Sequence, residues 1–254
     1  MLRQDYDPYS FIESNNAVNY GVMILNHSFD SLRNLLSKNL WNKANIRGCA
    51  DGGSNLLKIY SDEINEKLIP NYISGDFDSI KEDILKYYKT IPTIEFIHTH
   101  DQNATDFTKC VRVMMGKEPT LNNLLVFCTL GGRFDHSTSI IHSLYILKDA
   151  YPNLQIYLLT ECDITFLLHG GKFNRIHVES KYKGDVCSLL PFGQTVHAKT
   201  EGLKWNLNLT QELSFTKIVS SSNTYENEKT SYVDVYPDND IIWTMTYTCD
   251  KQKK

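Results

Sequence analysis

The chain changes texture once along its length. From Val18 to about residue 161, short apolar runs alternate with stretches whose apolar residues recur every three to four positions. The series reads "AVNYGVMILN", "SLRNLLSKNLWNKA", "IRGCA", "SNLLKIY", "NYISG", "SIKEDILKYYK", "TIEFIHT", "TDFTKCVRVMMG", "LLVFCTL", "STSIIHSLYILKDAY" and "LQIYLLT". Short runs of this kind form strands and the periodic stretches form helices, so the alternation predicts a six-stranded, mostly parallel sheet covered by helices. After residue 163 the helical period vanishes. Runs such as "FNRIHVES", "DVCSLLPFG", "SFTKIVS", "SYVDVY" and "IIWTMTYT" alternate apolar and polar positions between turn residues, which predicts an all-β region.

The expected fold is therefore a three-layer α/β/α domain over residues 18–163 followed by a β-sandwich over residues 164–254. Residues 1–17 form an N-terminal extension, and the boundary falls around "HGGKFN". A chain of 254 residues has room for two such domains.

Composition narrows the class of partner. With 26 basic and 30 acidic residues the net charge is −4, which gives no pull toward nucleic acid or an anionic membrane and favours a small-molecule substrate. No stretch reaches the roughly 20 apolar residues of a membrane helix, and "MLRQDYDPYSFIESNN" resembles neither a signal nor a transit peptide. A cytoplasmic home is expected. Cys49, Cys110, Cys128, Cys162, Cys187 and Cys249 are scattered without a CxxC pair, so they read as reduced thiols and not as zinc ligands. The closing "KQKK" reads as a solvated tail.

The chemistry concentrates at strand ends. Asp51 follows "IRGCA"; Asp76 and Asp78 follow "NYISG"; Asp101, Gln102, Thr105 and Asp106 follow "IEFIHTH"; Arg133 and Asp135 follow "LLVFCTLGG". In an open α/β sheet these four loops share the carboxyl edge, where ligands bind. Any one of them alone is explained by turn or N-cap chemistry, and Ser79 with Glu82 fits a capping box. Four together are not. Asp76 and Asp78 have no basic neighbour in the turn, and oxygen-only ligands favour magnesium carried on substrate phosphates, hence a nucleotide. Arg133 offers a planar fork for phosphate oxygens, Lys109 lies on the helix face of Asp106, and Gly52, Gly53, Gly131 and Gly132 let backbone amides approach.

Other features carry less. His98 and His100 are not assigned a role, and His136 and His142, six residues apart on a helix, lie on different faces. There is no Walker A loop, GxGxxG or "HRD".

The ordered set "ADGGSNLL", "SGDFDSI", "DQNATDFTKC", "TLGGRFDH", "GLKWNL" and "SSSNTY" resembles the thiamin pyrophosphokinase family, eukaryotic type, over about residues 18–247. One departure is that Thr129-Leu130-Gly131-Gly132 runs straight into Arg133, where many animal relatives carry a longer glycine loop. The resemblance implies transfer of a diphosphate from ATP to the hydroxyethyl oxygen of thiamin, giving thiamin diphosphate and AMP. It implies Mg²⁺ on Asp76, Asp78 and Asp106, with Asp51 and Asp101 nearby, and an ATP site lined by Asp51, Gln102, Thr105, Lys109, Arg133 and Asp135. Asp76, Asp78, Asp106 and Arg133 would carry the catalysis. Ser220, Ser222 and Asn223 would face thiamin across a homodimer interface, while Trp205 and Trp243 are not assigned. Two rivals stand beside this reading: another Mg-dependent DxD transferase, which explains only residues 76 to 78, and a non-catalytic nucleotide or thiamin sensor.

Overall fold

A computed structural model describes residues 3–13, 19–26, 30–101 and 103–248, and the chain divides into two compact units, residues 18–161 and residues 1–17 joined to 162–254. Gln102, Cys249 and the "KQKK" tail lie outside the described residues.

The N-terminal segment supplies strand β1 (Arg3–Tyr6) and helix α1 (Pro8–Glu13) to the second unit. The sequence sets residues 1–17 apart as an N-terminal extension, whereas they group with residues 162–254. The correction has a physical cause: β1 gains its ladder only by pairing with a strand about 170 residues away, Arg3 opposite Phe173 and Tyr6 opposite Ile176.

The first unit follows the expected alternation through β2 (Tyr20–Ile24), α2 (Asp30–Leu35), α3 (Lys38–Lys43), β3 (Ile46–Ala50), α4 (Gly53–Glu63), β4 (Tyr72–Gly75), α5 (Glu82–Lys89), β5 (Glu95–His98), α6 (Asp106–Lys117), β6 (Asn123–Phe127), α7 (Phe134–Ala150) and β7 (Gln155–Leu159). "SLRNLLSKNLWNKA" forms two short helices where one was expected. Ser37 ends the first turn pattern and caps α3, its hydroxyl accepting the Leu40 N–H at 3.0 Å. The Ser79 to Glu82 capping box does not form either. Helix α5 starts at Glu82 behind Lys81 with no side-chain cap, because the Ser79 N–H is drawn to Asp51 Oδ2 at 3.2 Å.

Parallel pairing gives the strand order β7-β6-β2-β3-β4-β5. The chain winds outward from β2 to β5, then returns to the other side of β2. Right-handed crossovers therefore place α4 and α5 on one face and α6 and α7 on the other, giving three layers. Each pair is tied: the Tyr88 hydroxyl of α5 reaches Ser54 O of α4 at 3.3 Å, and Ser143 of α7 meets Thr105 and Thr108 at the start of α6. The strands between are buried on both faces, with Val22, Met23, Ile24, Cys49, Tyr72, Ile73, Leu124, Leu125 and Val126 fully enclosed.

The second unit continues with β8 (Asp163–Leu168), β9 (Phe173–His177), β10 (Lys183–Leu190), β11 (Val196–Glu201), β12 (Glu212–Leu213), β13 (Ser220–Asn223), β14 (Tyr232–Pro237) and β15 (Ile241–Tyr247). One sheet runs β13-β10-β15-β8, all antiparallel, and the other β1-β9-β14-β11-β12. The two face each other as a sandwich, and Tyr6 of one stacks on Phe166 of the other at 5.1 Å between ring centroids. Of the cysteines, Cys49, Cys110, Cys128 and Cys187 are buried free thiols and Cys162 is exposed.

Candidate active site

A cleft of about 330 Å³ opens at the carboxyl ends of β2 and β3, between Leu25, Asn26, Ala50, Asp51 and Ser79 on one side and Thr105, Asp106, Phe107, His136, Ser139 and Ile140 on the other. It sits where the strand order reverses around β2, the place an open α/β sheet offers for a ligand.

Asp51 forms its floor. The residue directly follows β3 with φ of +43°, its N–H donating to Ser74 O at 2.8 Å, and it is only 4 % exposed. Oδ2 accepts the Ser79 N–H, while Oδ1 is buried and has no hydrogen-bond partner among the described residues. Burial pushes the carboxyl above its ordinary range, and the charges of Asp76 and Asp106 add to the shift. Two glycines make the room: a Cβ on Gly75 would lie 2.8 Å from Asp51 Cβ, and one on Gly52 would lie 2.5 Å from the Asn26 side chain.

The other predicted acids sit on the neighbouring loops with local partners. Asp76 Oδ1 accepts the Asp78 N–H at 3.2 Å, and Phe77 between them is held at φ of +69° with its ring edge against His98, 5.5 Å between centroids. Asp78 is exposed. Asp101 accepts the Asn103 N–H at 2.9 Å and pairs with Arg112 at 3.2 Å. Asp106 opens α6 and pairs with the buried Lys109 at 2.7 Å. Among the described residues no three His, Cys, Asp or Glu side chains form a group that could hold a metal ion. Asp76 thus holds the Asp78 N–H and Asp106 the Lys109 ammonium.

Arg133 and Asp135 do not line the cleft. They grip each other through Nε to Oδ1 at 3.1 Å and Nη2 to Oδ2 at 2.5 Å, 70 % and 63 % exposed at the start of α7. Gly132 before them has φ of +75° and open space around it. Thr105 caps α6 by accepting the Thr108 N–H at 3.0 Å. The sequence reading missed Asn26, Ser79, His136 and Ser139. Asn26 follows a strand end as the aspartates do, so the same rule reaches it, but a lone amide there carries no charge signal.

In the β unit, Ser220 and Ser222 lie at the surface of β13, Ser222 with φ of +56°. Asn223 is 4 % exposed: its amide accepts the Thr224 N–H at 2.9 Å and donates to Trp205 O at 3.0 Å. It braces the loop that presents Trp205, which is 57 % exposed, whereas Trp243 is fully buried core. His98 and His100 stack at 4.1 Å.

Residues 37–158 match the catalytic domain of thiamin pyrophosphokinase and residues 174–241 its vitamin B1 binding domain. Thiamine pyrophosphokinase 3 of Oryza sativa subsp. japonica is 34 % identical over 241 residues, spanning 89 % of this chain and 86 % of its own length. Thiamine pyrophosphokinase of Saccharomyces cerevisiae is 28 % identical and spans 98 % and 92 %. Among solved structures, yeast thiamin pyrophosphokinase superposes with a TM-score of 0.82 at 26 % identity over 98 % of this chain and 92 % of that one, and the Candida albicans protein with 0.80 at 26 % over 96 % and 92 %.

Proposed function

Since this chain belongs to the thiamin pyrophosphokinase family, whose enzymes convert thiamin to thiamin diphosphate with ATP as co-substrate, we propose that the cleft over Asp51 positions ATP for in-line attack by the hydroxyethyl oxygen of thiamin on the β-phosphorus. The new O–Pβ bond forms as the bond from Pβ to the α-phosphate oxygen breaks, AMP leaves, and the hydroxyl proton passes to a carboxylate or to water. Such a reaction needs alignment and charge neutralisation more than covalent help from the protein.

The observation that carries this reading is the buried, unpartnered Oδ1 of Asp51, whose carboxyl is pushed up by burial and by the charges of Asp76 and Asp106. The all-oxygen corner of Asp51, Asp76 and Asp78 fits a hard divalent cation, and Mg²⁺ takes only one or two carboxylates, completing its shell with water and phosphate oxygens. One or two of Asp76, Asp78 and Asp106 would hold it, with Asp51 nearby, and when bound it would supply neutralisation of phosphate charge. The Lys109 ammonium, 8 % exposed and held on Asp106, would add positive charge at the same wall. Arg133, now on Asp135, would release that partner for phosphate oxygens. On the β unit, Ser220 and Ser222 would meet the aminopyrimidine and Asn223 would hold the Trp205 loop against it, with the two halves of each site coming from different chains of a homodimer. Four buried thiols suit a reducing compartment, and we assign the enzyme to the cytoplasm.

The deciding assay is AMP release from ATP with Mg²⁺. Release that requires thiamin supports the reading. Thiamin and ATP binding without AMP would make the protein a sensor, and turnover that requires a sugar nucleotide would make it another DxD transferase; either outcome sinks the proposal.

A further inference from the structure

Three hydroxyls close a triangle between the two helices that wall the cleft. Thr105 Oγ1 donates to Thr108 Oγ1 at 3.0 Å, Thr108 Oγ1 donates to Ser143 Oγ at 3.1 Å, and Thr105 and Ser143 lie 3.0 Å apart. Ser143 then donates to the carbonyl of Ser139 at 2.8 Å. Ser143 is 1 % exposed and Thr108 5 %, so no solvent competes for these bonds. Each hydroxyl has one proton, and each proton is committed inside the cluster. Thr105 Oγ1 also accepts the Thr108 N–H that caps α6.

We infer that Ser143 is a positioning residue for nucleotide binding: with Thr105 and Thr108 it locks the start of α6 to α7, fixing Asp106 beside Ser139 and His136 on one wall of the cleft. Thr105, expected to touch ATP, contributes through this lock, because its hydroxyl is bonded to Thr108 and Ser143. The inference rests on the reading of the cleft as the ATP site. It makes nucleotide affinity depend on two buried hydroxyls that lie behind the cleft wall, while thiamin contacts, carried by the β unit, stay unaffected.

The test uses Ser143→Ala, Thr108→Val and Ser143→Thr in the full-length protein, with calorimetric binding of α,β-methylene-ATP and Mg²⁺ beside steady-state kinetics. Losing one hydroxyl should weaken the analogue and raise the KM for ATP by roughly three- to tenfold, the scale of a single buried hydrogen bond. The KM for thiamin should stay within about twofold, Ser143→Thr should restore affinity, and the double variant should be no weaker than the worse single one because all three bonds act as a unit. If Ser143→Ala fails to fold, Thr108→Val, which removes the same bond from the α6 side, decides alone. Analogue affinity equal to wild type in the folded variants, or equal losses for ATP and thiamin, overturns the inference while wild type still binds. A wild-type protein that binds no analogue overturns the functional reading itself, and this inference with it.

Discussion

Gly75 and Asp51 are built for each other: Gly75 ends β4 at φ of +153°, and a Cβ there would stand 2.8 Å from Asp51 Cβ. Only glycine adopts that backbone without strain and leaves space for the buried carboxylate. Gly75→Ala should destabilise the fold by about 1–3 kcal/mol through backbone strain and contact. It should also lower kcat at least about tenfold by displacing Asp51, a misplacement in the site. Urea unfolding and AMP release measure the two effects; wild-type values for both would show that Asp51 tolerates the shift.

Asp51 itself gives a prediction about pH. Its folded pKa is raised above the ordinary 3.8 by burial and by Asp76 and Asp106. An ionised carboxylate with a raised pKa opposes folding, fully so above the folded pKa, and the opposition fades as pH falls through that value toward 3.8. Asparagine keeps the shape and tolerates the positive φ. Asp51→Asn without added metal should therefore raise Tm at pH 8 by about 2–4 °C, the shift about 1 kcal/mol produces in a chain of this size. The gain should shrink on approach to pH 4. Thermal scans across pH decide it, and an equal gain at every pH would point to a cause other than charge.

Asp76→Asn and Asp78→Asn remove charge without removing the turn, because an amide oxygen at residue 76 still accepts the Asp78 N–H. Both variants should keep the wild-type Tm within about 2 °C, since Asp78 is exposed and Asp76 half-buried and neither packs in the core. Turnover should fall by at least about a hundredfold, the scale of a lost electrostatic contact to the reacting phosphates. Retained activity at saturating Mg²⁺ would reduce the pair to turn chemistry.

A site shared between chains predicts complementation. Asp78→Asn damages the cleft and Asn223→Ala releases the backbone of Trp205, to which the Asn223 amide donates. Each variant should be nearly inactive alone at subsaturating thiamin. In a one-to-one mixture that exchanges subunits, half of the dimers are mixed and each mixed dimer has one intact site, so activity should approach about a quarter of wild type. Native mass spectrometry confirms exchange. A mixture that exchanges and stays inactive places both halves of the site within one chain.

The sequence determined what is local. The run of apolar strands, the helices between them and the change to β texture follow from periods of two and 3.6 that each segment carries by itself. The carboxylates of residues 51, 76, 78 and 106 were legible because charge placed after a strand end has few structural reasons to be there. Tertiary structure decided everything that needed two distant segments at once. Strand β1 exists only opposite Phe173 to Ile176. Ser79 abandons its cap because Asp51, 28 residues earlier, offers a carboxylate to its N–H. Asn223 turns inward to brace Trp205, and Ser143, a plain serine in an apolar helix, becomes part of the cleft only when α7 lies against α6. A hydroxyl or an amide has the same local signature whether it faces solvent, backbone or ligand. Which of these it satisfies is set by the group that packing places within about 3 Å, and that distance is not written in the spacing of residues along a chain.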